Sequence, residues 1–253
     1  MPARDGNVKI KEKENIYNPD ELIFALDIGT RTVIGIVGIQ EADEFKIISL
    51  EIIEHKRRVM FDGQIHDIDS VADAVRQIKE KLEKEIGVPL VKVAIAAAGR
   101  SLNTCKVKLE KDIDNSREID YNLIGALEIE AIQKAQEKLD LETTGKDNNR
   151  FYCVGYSVIN YFLNEYVMTS LVGHKGNKVG VEILATFLPQ VVVDSLHAVM
   201  KRVGLEVSSL TLEPIAAINV AIPNSLRLLN LALVDIGAGT SDIALTRDGS
   251  VVA

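Results

Sequence analysis

The sequence is poor in the residue types that announce redox, zinc or nucleic-acid chemistry. Its two cysteines, Cys105 and Cys153, lie far apart with no CxxC partner, so both are expected as reduced packing residues. Lysine and arginine number 29 against 37 aspartates and glutamates, a formal net charge of -8. Nucleic-acid phosphates are gripped by an excess of cations on one face, so this balance excludes broad nucleic-acid binding. No run reaches the ~20 continuous apolar residues of a membrane-spanning helix. The start, "MPARDGNVKIKEKENIYNPDE", lacks the apolar core of a signal peptide; residues 1–20 read as a flexible tail and the chain as cytoplasmic. His55, His66, His174 and His197 have no H-E-x-x-H spacing and no obvious nucleophile partner.

What is there is an ordinary soluble balance, 47% hydrophobic and 26% charged over 253 residues, enough for one large domain or two modest ones. The patterning is α/β. "LIFALDIGTRTVIGIVGI" (22–39) and "FKIISLEIIEHK" (45–56) are rich in β-branched residues around the turn-like "QEADE". In "DIDSVADAVRQIKEKLEKEIG" the apolar residues Ile68, Val71, Val75, Ile78, Leu82 and Ile86 recur at helical spacing, with Asp69 or Ser70 expected to cap the start and Gly87 to end it. "VKVAIAAAG" (91–99) reads as a buried strand.

From about Ser101 to Gly176 the texture changes. Short strands such as "CKVKL" and "FYCVGYSVINYFL" surround the amphipathic "YNLIGALEIEAIQKAQEKL", a small inserted module with loops at "TTGKDNN" and "VGHKGNK". "KVGVEILATFLP" (178–189) is expected to resume the main domain, followed by a helix in "QVVVDSLHAVMKRVG" that Gly204 terminates. In "SSLTLEPIAAINVAIP" (208–223), Pro214 suits the first helical position and places Glu213 at the cap. Lys56, Arg57 and Arg58 form a small basic run, either a solvated turn or a partner contact.

A short internal repeat carries the chemistry. "LVDIGAGTSDIAL" (233–245) resembles "ALDIGTRTVIGIV" (25–37), with Asp27 over Asp235, Gly29 over Gly237 and Thr32 over Thr240. One D-x-G turn is weak, since aspartate and glycine are ordinary hairpin residues; two related copies weigh more. Glycine lets the backbone approach a ligand without a Cβ in the way, so successive N–H groups can point at phosphate oxygens, and threonine adds a hydroxyl. Aspartate at a strand end is repelled by phosphate unless a divalent cation or its water shell lies between them. Asp27 and Asp235 therefore suit a metal–nucleotide site; the alternative is two hairpins whose aspartates merely cap turns. Glu213 is read either as a helix cap or as a group that orients an attacking water.

The order of a D-x-G-T hairpin, a glutamate–proline helix and a D-x-G-x-G-T hairpin resembles the nucleotide-binding superfamily of actin, sugar kinases and the large heat-shock chaperones. The resemblance implies an α/β, actin-like (ribonuclease H-like) ATPase fold in which the hairpins face each other across a cleft. It implies ATP and Mg2+ as cofactors. Gly29, Thr30 and Thr32 would form the first phosphate loop, Gly237, Gly239 and Thr240 the second, with the metal at Asp27 and Asp235 and a catalytic role for Glu213. Ala238, where many members have glycine, and Arg31, where a small hydroxyl residue is frequent, bear on hydrolysis more than on binding.

Gly63, Ile65, Asp67, Val71 and Gly99 in the segment 59–102, the module position and "VGLEVSSLTLEPIAAINVAI" are similar to the FtsA family of bacterial cell-division proteins over about residues 22–253. That resemblance implies a tail (1–20), a first part of domain I (21–100), an inserted subdomain (101–176), the remainder of domain I with the connecting helix (177–225) and the start of domain II (226–253). It further implies self-association into filaments, the tubulin-like division protein FtsZ as partner, and a position peripheral to the inner face of the cell membrane. The adenosine loop, second connecting helix and membrane-binding helix of such proteins are not found, so the chain reads as the front, truncated portion of a longer protein with weak or no ATP affinity by itself. The other classes considered are a PilM-like type IV pilus assembly protein that recruits a short peptide, and a small-molecule kinase.

Overall fold

Alternating burial along three consecutive runs builds the first sheet. The structure, a computed structural model, describes residues 17–42, 44–61, 63–97, 102–143, 150–223, 226, 229–247, 250 and 251. The tail expected at 1–20 lies mostly outside the described residues, as does Gly99; a single 3-10 turn, Pro19–Glu21, leads into the sheet. In β1 (Leu22–Ile28) Phe24, Leu26 and Ile28 are buried, while Ile23 and Asp27 face the other way. β1 pairs antiparallel with β2 (Thr32–Glu41), and β2 with β3 (Glu44–Glu54), a meander with its turn at Gly29–Arg31. After a two-stranded ribbon, β4 (Met60–Phe61) and β5 (Gln64–Ile65), comes α1 (Ile68–Ile86). It returns the chain to β6 (Lys92–Ala97), which lies parallel to β1, as a helical crossover permits. β11 (Glu206–Leu212), reached much later through α3 (Gln190–Val203), completes the sheet in the order β11-β6-β1-β2-β3.

The helix signals hold with one shift. Gly87 and Gly204 end α1 and α3 in the left-handed conformation, where glycine carries no Cβ penalty. The cap of α1 is Asp67 rather than Asp69 or Ser70: its carboxylate accepts from the Ser70 N–H at 3.0 Å and from the Ser70 hydroxyl at 2.8 Å. Val71, Val75, Ile78 and Leu82 of α1 and Val199 and Met200 of α3 bury the inner face of the sheet with Leu26, Val33, Val37 and Ile95. Gly35 marks where α1 comes closest, since a Cβ there would lie 2.3 Å from Ile78 Cγ2 and 3.2 Å from Leu82 Cδ1. Gly35→Ala is therefore expected to cost about 1–3 kcal/mol by overpacking. Urea unfolding reads this as a lower midpoint; an unchanged midpoint would contradict this packing.

The module has its own core and is longer than expected. β7 (Asn103–Asp112), α2 (Tyr121–Thr143), β8 (Phe151–Leu163) and β9 (Tyr166–Met168) precede β10 (Lys178–Pro189), and the sheet order is β7-β10-β8-β9. β10 is thus an inner strand of the module, pairing on both sides through Val179–Phe187, so the boundary at 176 moves to Pro189. Its near-continuous burial explains the misreading: a strand covered on both faces looks the same in either sheet. Leu127, Ala131, Ala135 and Leu139 of α2 pack on Val181, Ile183 and Phe187, and the Tyr156 and Tyr161 hydroxyls both donate to Glu128, at 2.7 and 2.5 Å.

From β11 the chain passes through α4 (Glu213–Ala221) to a third sheet, β12 (Leu231–Ile236), β13 (Ser241–Arg247) and β14 (Ser250–Val251), all antiparallel. Val251 N–H donates to Ser157 Oγ at 3.3 Å, tying this sheet to the module. The fold thereby carries two D-x-G hairpins on separate sheets, with α4 in contact with both sheets.

Candidate functional site

The two turns are the same structure built twice. In each, a glycine N–H donates to the carbonyl of the threonine three residues on: Gly29 to Thr32 and Gly237 to Thr240, both at 2.9 Å. A Cβ on Gly29 would lie 3.1 Å from Thr32 O, and one on Gly237 3.2 Å from Thr240 O. Neither glycine adopts positive φ, so what the turn demands is room rather than a left-handed backbone. Asp27 stands two residues before the first turn, opposite Ile34, and Asp235 two before the second, opposite Asp242.

The turns meet. A Cβ built on Gly239 would fall 2.4 Å from Thr30 Oγ1, 2.9 Å from Thr30 Cγ2 and 3.0 Å from Thr30 Cβ. The second turn thus rests on the first through a glycine with no side chain to hold them apart. Arg31, at the tip of the first turn, is engaged by Glu54 of β3, Nε to Oε1 2.9 Å.

Behind the turns lies a concentration of acid. Glu213 is the first residue of α4; Leu212 holds the N-cap position and no side chain caps the helix, so the capping role expected of Glu213 is not taken up. Burial, then the charges of Asp27, Asp242 and Asp235, then a hydrogen bond with Asp27, push the Glu213 carboxyl up to about 8. It therefore holds its proton at neutral pH and donates to Asp27, while its buried Oε1 has no hydrogen-bond partner among the described residues. Burial also raises the Asp27 carboxyl; the Glu213 hydrogen bond offsets part of this and the Asp235 charge adds to it. Asp242 is raised by burial and by Asp235, against a lowering by the Thr240 hydroxyl.

Repelled carboxylates with an unpartnered oxygen take up either protons or a cation. The donor set is all oxygen, which fits Mg2+, a hard ion that keeps several waters and completes its shell with phosphate oxygens. Among the described residues no three or more acidic, histidine or cysteine side chains close on one point as a protein-only metal cage. An ion here would accordingly be held through water and phosphate rather than by the protein alone.

Two residues escaped the sequence. Asp242 sits directly across the ladder from Asp235; its signal was the acid two places after Thr240, which the first copy of the repeat replaces with Ile34. His55 follows the Thr32–Glu54 pair that ends the β2–β3 ladder, and its N–H donates to Arg31 O at 2.9 Å. Burial pushes the imidazole below its usual value, with the Gly29 backbone acting the other way. A cleft of about 380 Å3 lined by Ile53, His55, Lys56, Arg57 and Gln77 lies beside it. The basic run is largely engaged in structure: Arg57 pairs with Asp67, and Arg58 stacks 4.5 Å over the Phe61 ring. Both cysteines are free thiols, as expected, and no described helix is long and apolar enough to cross a membrane.

No family model matches the chain. It is similar to the cell division protein FtsA of Bacillus subtilis, 22% identical over 242 residues covering 93% of this chain and 51% of the relative. It is also similar to FtsA of Pseudomonas aeruginosa, 24% identical over 236 residues covering 91% and 52%. The chain thus spans about half the length of the curated relatives it matches. Among solved structures, a PilM-PilN type IV pilus biogenesis complex superposes with a TM-score of 0.63 at 14% identity, over 91% of this chain and 60% of that one. The chain is FtsA-like in sequence and has the actin-like ATPase fold.

Proposed function

We propose that this chain carries the phosphate-gripping part of an ATP-binding, actin-like cell-division adaptor. The supporting observation is the apposition of the two D-x-G turns at Thr30 and Gly239, with four carboxylates behind them. Backbone N–H groups of the turns and the hydroxyls of Thr30, Thr32 and Thr240 are the donors for phosphate oxygens. Asp27 and Asp235 would hold Mg2+ through its water shell; the bound ion neutralises charge between acid and phosphate. Glu213, hydrogen-bonded to Asp27, would be the group that orients a water beside the phosphates. Because the turns sit on different sheets, a triphosphate that bridges them favours one separation of those sheets over others, so nucleotide biases conformation. That bias is the means by which the protein would self-associate into filaments and join the tubulin-like division protein FtsZ at the inner face of the membrane.

The test is amide NMR of residues 1–253 with millimolar Mg-ATP and, in parallel, Mg-AMP. ATP is expected to shift the amides of both turns and AMP neither, since the β- and γ-phosphates are what the turns grip. Equal responses to both nucleotides, or none, would overturn the assignment. A second reading, a pilus-assembly protein that recruits a peptide from a membrane partner, is favoured by the likeness to the PilM complex. Capture of the pilus partner's peptide, and not of the division protein, in pull-downs would select it.

A further inference from the structure

We propose that Arg31 is a specificity-determining contact for the terminal phosphate of a triphosphate, held beside the first turn by Glu54 and exchanging that carboxylate for phosphate oxygens. The proposal rests on the phosphate-binding role of the two turns. It gives a binding role to a residue that the family resemblance tied to hydrolysis more than to binding. Arg31 is the only cation in either turn, 27–32 or 235–242. The other donors there for phosphate, backbone N–H groups and threonine hydroxyls, are uncharged.

The ladder places the guanidinium. Asp27 lies opposite Ile34, Ile34 opposite Ile52, and Thr32 opposite Glu54. Residues directly opposite each other, or two apart on one strand, share a face, so Asp27, Thr32 and Glu54 stand on the same side of the sheet. Glu54 is therefore one strand spacing, about 5 Å, from a threonine of the phosphate turn. Arg31 joins it there, Nε to Oε1 2.9 Å, while the Arg31 carbonyl accepts from the His55 N–H at 2.9 Å. The backbone at the tip is thus tied to the end of β3, and the side chain is held by one ion pair.

That ion pair is easily exchanged. It is made through Nε alone: among the described residues neither terminal nitrogen of the guanidinium has a partner. Both side chains are largely in water, Arg31 70% and Glu54 61% exposed, and an exposed ion pair contributes little. Phosphate presents several oxygens to the guanidinium fork, which binds them by parallel charge-assisted hydrogen bonds. The neighbouring Thr30 already touches the Gly239 turn, so the Arg31 side chain is rooted next to the point where the two hairpins meet. The terminal phosphate of ATP carries more negative charge than an inner one, so a cation at this tip favours ATP over ADP.

The test titrates Mg-ATP and Mg-ADP into residues 1–253, wild type and variants, and follows the amides of both turns by NMR. Arg31→Ala is expected to weaken ATP binding about tenfold, as the loss of a charge-assisted hydrogen bond implies, and ADP binding much less. Arg31→Lys, which keeps the charge and loses the fork, is expected to fall between. Glu54→Gln is expected to strengthen ATP binding about twofold, because the competing carboxylate is gone, and to change nothing in the Arg31→Ala background. Should Arg31→Ala fail to fold, the wild-type side chain decides: its Nε–Hε signal is expected to move with Mg-ATP far more than with Mg-ADP. Equal losses for ATP and ADP in Arg31→Ala, an Nε–Hε signal indifferent to Mg-ATP, or Glu54→Gln weakening ATP binding as Arg31→Ala does, the mark of a merely structural ion pair, would overturn the role of Arg31. With both turns still responding to ATP, those results would leave the phosphate site standing; wild-type turns that ignore Mg-ATP would overturn both.

Discussion

Gly239→Ala is expected to abolish the joint response of the two turns to Mg-ATP while leaving both hydrophobic cores intact. The added Cβ would arrive 2.4 Å from Thr30 Oγ1 and 3.0 Å from Thr30 Cβ. Threonine is branched at Cβ and stiff about χ1, so it has little freedom to swing aside. The strain, about 1–3 kcal/mol for an overpacked contact, is relieved most cheaply by moving the hairpins apart, because among the described residues no backbone hydrogen bond joins them. The expected signature is loss of the contact between Thr30 and residue 239 in nuclear Overhauser spectra, with melting temperature nearly unchanged. Adding Thr30→Gly removes the obstructing side chain and is expected to restore the contact, a coupling that independent sites would not show. A Gly239→Ala protein with wild-type spectra and nucleotide response would contradict the apposition.

Glu213→Gln is expected to stabilise the ligand-free protein above neutral pH and to remove much of its pH dependence. The Glu213 carboxyl is raised from 4.5 to about 8. Since the folded state binds this proton more tightly than the unfolded chain, stability from this group is fully present below about pH 4.5 and is lost as pH rises toward about 8. Glutamine keeps the shape and a donor for Asp27 but cannot ionise. In a cluster that shares its charge the gain at pH 8 is put at about 1–2 kcal/mol, a few degrees in Tm. Melting curves from pH 5 to 9 supply the check. Wild type is expected to soften with rising pH while the variant stays level; parallel curves would contradict the burial of this acid. The same substitution is expected to weaken the Mg2+ dependence of nucleotide binding, which separates a site held in tension from a merely buried side chain.

Much of this was legible because it is local. The D-x-G repeat marked both turns, since a tight turn is specified by the four residues that make it; their shared glycine-to-threonine hydrogen bond came into view with the backbone. Helix ends were equally readable at Gly87 and Gly204, where the backbone needs a left-handed residue. What depends on pairing was not. β10 reads as a buried strand, but nothing in "KVGVEILATFLP" states that its neighbours are β7 and β8 rather than β1. Asp242 and His55 became visible only when register set one opposite Asp235 and the other behind Arg31. Of the two readings of Glu213, the cap is not taken up in α4, and what register alone brings out is that the charges of Asp27, Asp235 and Asp242 act on it from two sheets.

Manganese in place of magnesium tests the central claim most directly. Mn2+ broadens the amide signals of nearby residues, so a nucleotide-bound ion lying between the hairpins would erase resonances on both. With Mn-ATP at millimolar concentration, the amides of Gly29, Thr30, Gly237 and Thr240 are predicted to broaden together, and those of the module to stay sharp. Broadening confined to one hairpin, or spread evenly over the acidic surface, would contradict a shared metal–phosphate cleft.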